Sequence, residues 1–435
     1  MSFSRLSRLS FFRSRQQLAA ACALCITLAS ALPAPVGAQP TSASQPAAAA
    51  SASATAAPAT SATAPAQAGF PAPPAVAARS FLLIDISANN QILAAKDIDA
   101  VMEPASLTKL MTAYVVFDAL KSGKISLEQT FGVSERAWKM PGSRMFIRPN
   151  TQVPVEDLLK GMIVQSGNDA SVALAEGLLG SQEAFVEQMN ATAKKLGMHN
   201  TGYRNPEGLT TEGHTTTARD MALLSTRLLA DFPQYTGYYA IKSYHYPGTP
   251  ETNGNNRNLL LFRDPSVDGL KTGHTAAAGY NLIATANRPS PASPQGRRLL
   301  VIVMGAASEA ARAEEALKLL NWGYGAFENV QLLPADQAAT QARVWKGQAK
   351  HVSLGSRQPI VVAVPAGQSQ NITTAAIVQG AKIIAPVAAD QPLGEFKASL
   401  GGQPIASVPL VALQAVPEAG FFGRLWDAFL MLFVK

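Results

Sequence analysis

Three short polar motifs in this sequence combine residue types that can activate a hydroxyl group. The first is Ser106-Leu107-Thr108-Lys109, at the start of an apolar segment with helical spacing over 106–121. Because residues i and i+3 share one face of a helix, the Lys109 amine should lie beside the Ser106 hydroxyl. A serine needs a neighbouring base at neutral pH, and burial can make lysine such a base. Ser106 and Lys109 are therefore a candidate nucleophile and base, although Ser106 could also be an ordinary helix N-cap.

The second motif carries groups suited to proton relay and substrate binding. Ser166-Gly167-Asn168 lies between two apolar stretches with helical spacing, at 155–164 and 169–178. An ordinary helix–helix turn would explain the same residues. In the functional interpretation, the Ser166 hydroxyl relays protons and the Asn168 amide orients a substrate.

The third motif is Lys271-Thr272-Gly273, which is followed by His274. If it lies on an edge strand, Gly273 lets a substrate backbone approach closely. The Thr272 hydroxyl and the Lys271 charge could then hold a substrate carboxylate. Each motif alone is ambiguous, so the functional interpretation depends on all three occurring in this order.

The segments around the motifs predict the fold that must position them. Strands are expected at both ends of this part of the chain, with helices between them, which favours an α+β fold with helices packed on an antiparallel sheet. The predicted strands are 80–86, 91–95, 279–286 and 298–305, the last two joined by a Pro-rich loop at 289–295, and the predicted helices are 106–121, 155–179 and 312–322.

Composition divides the rest of the chain into further segments. Residues 1–38 have a basic N-terminal region, an uncharged apolar stretch and small residues before a cleavage site, as in a secretory signal peptide. Residues 39–78 contain 18 Ala and no charge, which predicts a disordered tether. A first folded domain, which carries the three motifs, is expected over 79–326. Short apolar runs separated by Gly, Pro, Asn and Gln predict a small β-rich domain over 327–415.

The C-terminal segment 416–435 is predicted to form an amphipathic helix. Its aromatic and apolar side chains, including Phe422 and Trp426, share one helical stripe. The segment is too short and too polar to cross a bilayer. It suits an anchor that lies in the plane of a membrane surface, with a helix packed on the β-rich domain as the alternative.

Charge and residue counts exclude several classes of function. The formal net charge is +7, but four arginines belong to the expected signal and the remaining charges form no basic cluster. A nucleic-acid partner is therefore not expected. Both cysteines, Cys22 and Cys25, lie in the signal, so the mature chain should have no disulfide. The five histidines never occur at metal-ligand spacing, so we expect no metal and no cofactor.

The three motifs together resemble the set found in class A β-lactamases and penicillin-binding proteins. The surrounding sequence is similar to the low-molecular-mass D-alanyl-D-alanine carboxypeptidases, a family of serine peptidases. The resemblance implies a β-lactamase/transpeptidase-like domain, followed by the small all-β domain and the C-terminal helix. The stretches that carry it are Pro104–Thr112, Gly142–Phe146, Glu156–Met162, Asn205–Leu209, Thr217–Ala222, Lys271–Thr275 and Gly420–Trp426.

The resemblance implies a role for each motif residue. Ser106 would attack the penultimate D-Ala carbonyl of a peptidoglycan stem peptide, and Lys109 would take its proton. Ser166, with Lys271 near it, would pass a proton to the leaving D-alanine. The products would be a shortened stem peptide and D-alanine, and β-lactams would acylate Ser106 covalently.

The remaining implied roles concern substrate binding. Asn168 would hold the substrate amide, and Gly273 would let the substrate lie against the strand. The Ser106 and His274 backbone N–H groups would form the oxyanion hole. Thr272 would bind the terminal carboxylate together with Arg312, which follows a Gly-Ala-Ala-Ser stretch and suits a bidentate grip.

Alternatives remain open, and one family position departs from the common pattern. A D,D-endopeptidase, a weak β-lactamase and a non-catalytic wall-binding scaffold would share this fold. A deacylating Glu in a Glu-x-x-Leu-Asn context is not found between Ser166 and Lys271. Glu207 stands where family members often carry His, and it has no assigned role. The resemblance and the signal together imply an exported protein on the periplasmic face of the inner membrane.

Overall fold

The structure is a computed structural model, and it describes residues 69–433. The expected signal at 1–38 lies outside these residues, as does most of the expected tether. The last part of that tether is packed rather than free. Val76 and Ala78 contact the apolar core, and Lys318 donates a hydrogen bond to the Ala75 carbonyl at 3.0 Å. The folded part therefore begins before the predicted boundary at residue 79, because these apolar side chains cover hydrophobic surface.

Helices dominate the middle of the described chain, and strands dominate its two ends. The helices are α1 Lys109–Lys121, α2 Glu135–Trp138, α3 Val155–Val164, α4 Asn168–Leu179, α5 Gln182–Leu196, α6 Ala218–Asp231, α7 Leu260–Arg263, α8 Glu309–Ala326 and α9 Phe421–Leu430. The strands are β1 Ser80–Asp85, β2 Gln91–Lys96, β3 Thr130–Gly132, β4 Gln152–Pro154, β5 Val267–Thr275, β6 Gly279–Ser290, β7 Ser293–Ala306, β8 Phe327–Leu333, β9 Ala338–Trp345, β10 His351–Gly355, β11 Ile360–Pro365, β12 Ile372–Val378, β13 Ile383–Ile384, β14 Pro392–Leu400 and β15 Gln403–Ala412.

A five-stranded antiparallel sheet of order β2-β1-β7-β6-β5 forms the centre of the first domain. Successive side chains on a strand point to opposite faces, so the apolar run of β1 serves two cores. Leu82 and Ile84 face the helices α1 to α6, whereas Phe81 and Leu83 face α8. The predicted α+β arrangement is confirmed, and β5 with its Lys-Thr-Gly motif lies at the sheet edge.

Two predicted boundaries differ from the structure, and one predicted break between helices is confirmed. The expected loop 289–295 is mostly strand, because β6 and β7 continue to Ser290 and from Ser293. The helical region 155–179 is two helices, as the separate stretches 155–164 and 169–178 predicted, and the break lies where Ser166 adopts a φ of 60°. A short 3₁₀ turn, Ala105–Thr108, precedes α1, so the helix that should have contained Ser106 begins at Lys109 instead.

The second domain is all β, as predicted. Its larger sheet has the order β12-β14-β15-β10-β9-β13, and β8 pairs with β11. The domain extends past residue 415, since Val416 is buried and pairs with Val387. The two domains are joined by reciprocal hydrogen bonds between the Gln91 side chain and the Ala363 backbone, at 2.8 and 2.9 Å.

Helix α9 keeps its apolar face exposed. Phe422 is 83% exposed and Trp426 is 62% exposed. The helix is attached to the β-rich domain on its polar side, where Asp427 accepts a hydrogen bond from the Lys346 backbone N–H at 2.5 Å. Over residues 69–433, no helix has both the length and the apolar character needed to cross a membrane.

Candidate active site

Ser106 lies in the 3₁₀ turn immediately before α1, and no side-chain cap bond is formed there. The turn follows Ala105, which has a φ of 49°. Ser106 is only partly buried, unlike its neighbours Ala105 and Leu107. Lys109 is one turn further on, and its Nζ lies 3.0 Å from the Ser106 Oγ. The predicted nucleophile–base spacing therefore becomes a direct contact.

The Lys109 amine has three oxygen neighbours. Besides the Ser106 Oγ, it donates to the Asn168 Oδ1 and to the Glu207 backbone oxygen, both at 2.7 Å. Burial is the largest influence on this group, and it lowers the pKa of Lys109 to about 7. A neutral amine has two N–H bonds for the two carbonyl oxygens, which leaves its lone pair for the Ser106 proton.

Ser166 and Lys271 form a second hydroxyl–amine pair. The Lys271 Nζ lies 2.9 Å from the Ser166 Oγ and donates to the Thr272 backbone oxygen at 3.0 Å. Burial and the nearby cations Lys109 and Arg257 hold the pKa of Lys271 well below its usual range. The left-handed backbone at Ser166 places its hydroxyl at this amine, in the break between α3 and α4.

The side-chain oxygen and nitrogen of Asn168 both form hydrogen bonds within the protein. Its Oδ1 accepts from Lys109, and its Nδ2 donates to the Pro141 backbone oxygen at 2.7 Å. The Asn168 side chain therefore orients Lys109, a role that the sequence did not suggest. One N–H of this amide remains for the substrate contact that the resemblance implies.

Asp169 holds a loop of the site in place. Its buried carboxylate accepts hydrogen bonds from the backbone N–H groups of Met145, Phe146 and Ile147, at 2.9, 2.8 and 3.3 Å. Burial raises the pKa of Asp169 despite these bonds. Sequence spacing places this residue directly after Asn168, but only the fold shows what it binds.

Gly273 lets the edge strand β5 lie against the nucleophile turn. A Cβ at this position would be 3.0 Å from both the Ser106 backbone nitrogen and the Pro104 oxygen. The neighbouring Thr272 is buried. The His274 ring is exposed and stacks on Tyr280 at a centroid distance of 4.0 Å. The His274 ring therefore lies on the solvent side of β5, and the oxyanion-hole role expected of its backbone N–H stays a prediction.

Arg312, in the first turn of α8, is buried beside the same strand. Its guanidinium donates to the Gly273 backbone oxygen at 3.4 Å and pairs with Glu309 at 2.8 Å. Burial is the largest influence on Arg312, and it lowers the pKa of the guanidinium. A second arginine, Arg257, donates to the Gln165 backbone oxygen and adds positive charge around the site.

Two residues near the nucleophile were missed by sequence reasoning. Arg257 carries no motif that would have singled it out. Glu207 lies in the Asn-Pro-Glu-Gly-Leu stretch, whose resemblance was noted without a role. Its backbone oxygen binds Lys109, and its carboxyl group is buried with one oxygen unpartnered. Burial raises the pKa of Glu207, and the nearby Lys109 opposes that shift.

Comparisons with known proteins show the family to which the chain belongs. Residues 67–308 match a family model described as D-alanyl-D-alanine carboxypeptidase, and residues 327–418 match one described as penicillin-binding protein 5, C-terminal domain. D-alanyl-D-alanine carboxypeptidase DacC of Escherichia coli (strain K12) is 40% identical over 83% of this chain and 89% of its own length. The crystal structure of penicillin binding protein 5 from Haemophilus influenzae superposes with a TM-score of 0.75 and 37% identity, over 80% of this chain and all of that one.

A relative that is named for a different activity matches less of the chain. The D-alanyl-D-alanine endopeptidase of Escherichia coli (strain K12) is 30% identical over 63% of this chain and 84% of its own length. Carboxypeptidase relatives therefore share more of both the sequence and the domain arrangement.

Proposed function

The chain belongs to the D-alanyl-D-alanine carboxypeptidase family, and we propose that it removes the terminal D-alanine from peptidoglycan stem peptides through an acyl-enzyme on Ser106. The observation that carries this proposal is the buried Lys109 amine, whose two carbonyl partners leave its lone pair for the Ser106 hydroxyl. A lysine whose pKa is near neutrality can act as a general base at physiological pH.

Acylation begins when Ser106 transfers its proton to Lys109 and attacks the penultimate D-Ala carbonyl. The Oγ–C bond forms, and negative charge develops on the carbonyl oxygen. Backbone N–H groups of Ser106 and His274 would stabilise that charge. The C–N bond then breaks, and the proton that Lys109 accepted passes through Ser166, which touches Lys271, to the leaving D-alanine amine, so that Lys109 is neutral again.

Hydrolysis completes the cycle. Water adds to the ester carbonyl as it gives a proton to Lys109, and the Oγ–C bond breaks as Lys109 passes that proton to the Ser106 oxygen. The products are the shortened stem peptide and free enzyme. The hydrogen bonds that Lys109 donates to the Asn168 Oδ1 and to the Glu207 backbone oxygen do not involve substrate. They can therefore hold the amine in place through both halves of the cycle.

Selection of a chain terminus follows from the positive charge beside β5. Arg312 and Arg257 lie near Lys271, and Arg312 reaches the Gly273 backbone. A guanidinium suits a carboxylate because it can donate two parallel hydrogen bonds. With Thr272, these groups would bind the free carboxylate of the terminal D-alanine, so a carboxypeptidase is favoured over an endopeptidase.

Labelling with a fluorescent penicillin tests the acyl-enzyme. We expect stable labelling of the full chain and none in Ser106→Ala. A matched control is Ser225→Ala, which removes a buried hydroxyl on α6 that binds only the Met221 carbonyl. Labelling that persists in Ser106→Ala would contradict the proposal.

Product analysis separates the alternative activities. Release of D-alanine from a pentapeptide identifies a carboxypeptidase, whereas cleavage of cross-linked dimers without D-alanine release identifies an endopeptidase. Rapid consumption of penicillin would indicate a β-lactamase. Absence of all three activities together with absent labelling would favour a wall-binding scaffold.

We also propose that the protein is exported and held at the periplasmic face of the inner membrane. The signal-like pattern of residues 1–38 supports export. The exposed aromatic face of α9 supports in-plane binding, since amphipathic helices bury such faces at the level of the lipid headgroups. Asp427, bound to the Lys346 backbone, would keep the polar side of α9 on the protein.

Fractionation tests the membrane contact. Deletion of 419–435 should move penicillin-labelled protein from the membrane fraction to the soluble periplasmic fraction. Phe422→Asp combined with Trp426→Asp should do the same, while Arg424→Gln on the same helix should not. Full-length protein that is already soluble after gentle lysis would overturn the anchor.

A further inference from the structure

His214 is a buried residue that contacts the nucleophile motif from a distant part of the chain. Its side chain is 2% exposed. Its Nε2 lies 2.8 Å from the Thr108 Oγ1, and its Nδ1 lies 3.1 Å from the Arg204 backbone nitrogen. Thr108 is the third residue of the Ser-x-x-Lys motif, so His214 binds the motif directly.

The hydrogen bonds allow one arrangement of protons. A backbone N–H can only donate, so the Nδ1 that accepts from Arg204 carries no proton. The ring is therefore the neutral Nε2–H tautomer, and Nε2–H donates to the Thr108 Oγ1. The Thr108 hydroxyl in turn donates to the Ala105 carbonyl at 2.8 Å. Burial lowers the pKa of His214 to about 4, which keeps the ring neutral at physiological pH.

The chain of bonds ends on the residue that precedes the nucleophile. Ala105 has a φ of 49°, a left-handed conformation that disfavours residues with a Cβ. Its carbonyl is confined on another side by Gly208, where a Cβ would lie 1.9 Å from the Ala105 oxygen. The peptide group that joins Ala105 to Ser106 includes the Ser106 N–H, so fixing this carbonyl also fixes an oxyanion-hole donor.

We propose that His214 is a positioning residue for acylation, acting through Thr108 to hold the Ala105–Ser106 peptide group in its reactive orientation. His214 does not touch the Ser106 hydroxyl, and its effect reaches that residue only through the backbone. This inference rests on the proposed acyl transfer at Ser106. A small displacement of a catalytic donor can slow a reaction about a hundredfold, so the effect is measurable.

A purely structural role for His214 makes a different prediction. The ring packs edge-on against Tyr203 at a centroid distance of 5.8 Å, so it also fills the core. A packing role would require the volume of the ring, whereas the positioning role requires the Nε2–H donor. Variants that keep the volume and remove the donor distinguish the two roles.

The experiment measures acylation of the full-length wild-type chain and its variants by a fluorescent penicillin in a stopped-flow instrument. It gives the Kd of the non-covalent penicillin complex and the acylation rate constant separately. His214→Phe keeps a ring and removes both nitrogens, and Thr108→Val removes only the hydroxyl. We expect both variants to acylate about tenfold to a hundredfold more slowly, with Kd changed less than about threefold. Thr108→Ser restores the hydroxyl and should restore most of the rate.

Two controls separate positioning from instability. Tyr203→Phe removes a buried hydroxyl beside the same histidine that has no hydrogen-bond partner within residues 69–433, and this variant should acylate at the wild-type rate. The double variant His214→Phe/Thr108→Val should be no slower than the slower single variant. Each single variant already interrupts the same series of hydrogen bonds from His214 through Thr108 to Ala105, so the two losses should not add. If His214→Phe fails to fold, the Thr108→Val and Thr108→Ser pair decides the question.

Several outcomes would overturn the proposal. These are a wild-type acylation rate in a folded His214→Phe or in Thr108→Val, a rate in Thr108→Ser as low as in Thr108→Val, and an equal loss in Tyr203→Phe. Failure of the wild-type protein to be labelled at Ser106 would instead overturn the proposed function. The two failures are therefore distinguishable.

Discussion

The Lys271 Nζ lies 2.9 Å from the Ser166 Oγ, although the two residues are 105 positions apart in the chain. Ser166 reaches this amine because its backbone has a φ of 60° at the break between α3 and α4. Lys271 reaches it from the sheet edge. The site therefore contains two hydroxyl–amine pairs, Ser106 with Lys109 and Ser166 with Lys271.

Replacement of Ser166 by Ala should slow acylation by about 10²–10⁴-fold, the usual contribution of a general acid or base. The leaving amine would lose the hydroxyl that passes it a proton, while the Ser106–Lys109 contact would remain. Stopped-flow penicillin acylation measures the rate, and Ser225→Ala is the matched control. A wild-type rate in Ser166→Ala would exclude Ser166 from proton transfer.

Replacement of Glu207 by Gln should shift the pH dependence of acylation to lower pH. Lys109 accepts a proton only when neutral, so the rate rises with pH through its pKa of about 7. The Glu207 charge raises the pKa of Lys109, as does Asp169, whereas Arg257 lowers it. Removing the Glu207 charge therefore lowers this pKa, and the rising limb of the profile moves with it.

The measurement is the acylation rate across about pH 5 to 9, a range that brackets the base. Glu176→Gln is the control, since that carboxylate binds Ser134 and Gln182 away from the site. An unshifted or upward-shifted limb in Glu207→Gln would show that the Glu207 carboxyl does not influence the base.

Replacement of Arg312 by Gln should remove the preference for a free terminal carboxylate. Leaving a buried charge unpaired costs about 2–5 kcal/mol, so kcat/KM on a free-acid peptide should fall by about 30-fold or more. A peptide with an amidated terminus should be affected little. Arg288→Gln, which breaks an ion pair with Asp264 elsewhere, serves as the control. An unchanged ratio between the two peptides would place the carboxylate contact on another residue.

Replacement of Gly208 by Ala should destabilise the fold and slow acylation together. Gly208 has a φ of 92°, and an added Cβ would lie 1.9 Å from the Ala105 oxygen. We expect the free energy of unfolding in urea to fall by at least about 2 kcal/mol. Gly325→Ala on α8 has open space around it and should change stability by no more than about 1 kcal/mol. Equal stability of the two variants would contradict the close approach.

Sequence reasoning predicted the central elements of the site but not all of its contacts. Ser106, Lys109, Ser166 and Lys271 were identified because residue type and order carry the family resemblance. Glu207 received no role, because its contribution is a backbone oxygen and a buried charge, and neither has a residue signature. The double engagement of Asn168 was missed for a similar reason, since the Pro141 carbonyl that it binds has no sequence pattern.

By itself the sequence determined the α+β architecture, the β-rich second domain and the spacing of Lys109 one turn after Ser106. These follow from local periodicity and from the order of the motifs, both of which are properties of the amino-acid sequence alone. Only the tertiary structure decided that Lys109 is buried between Asn168 and Glu207, which lowers its pKa, and that His214 binds Thr108. The physical reason is that burial and hydrogen-bond partners come from segments distant in sequence, and they set the protonation state that the chemistry needs.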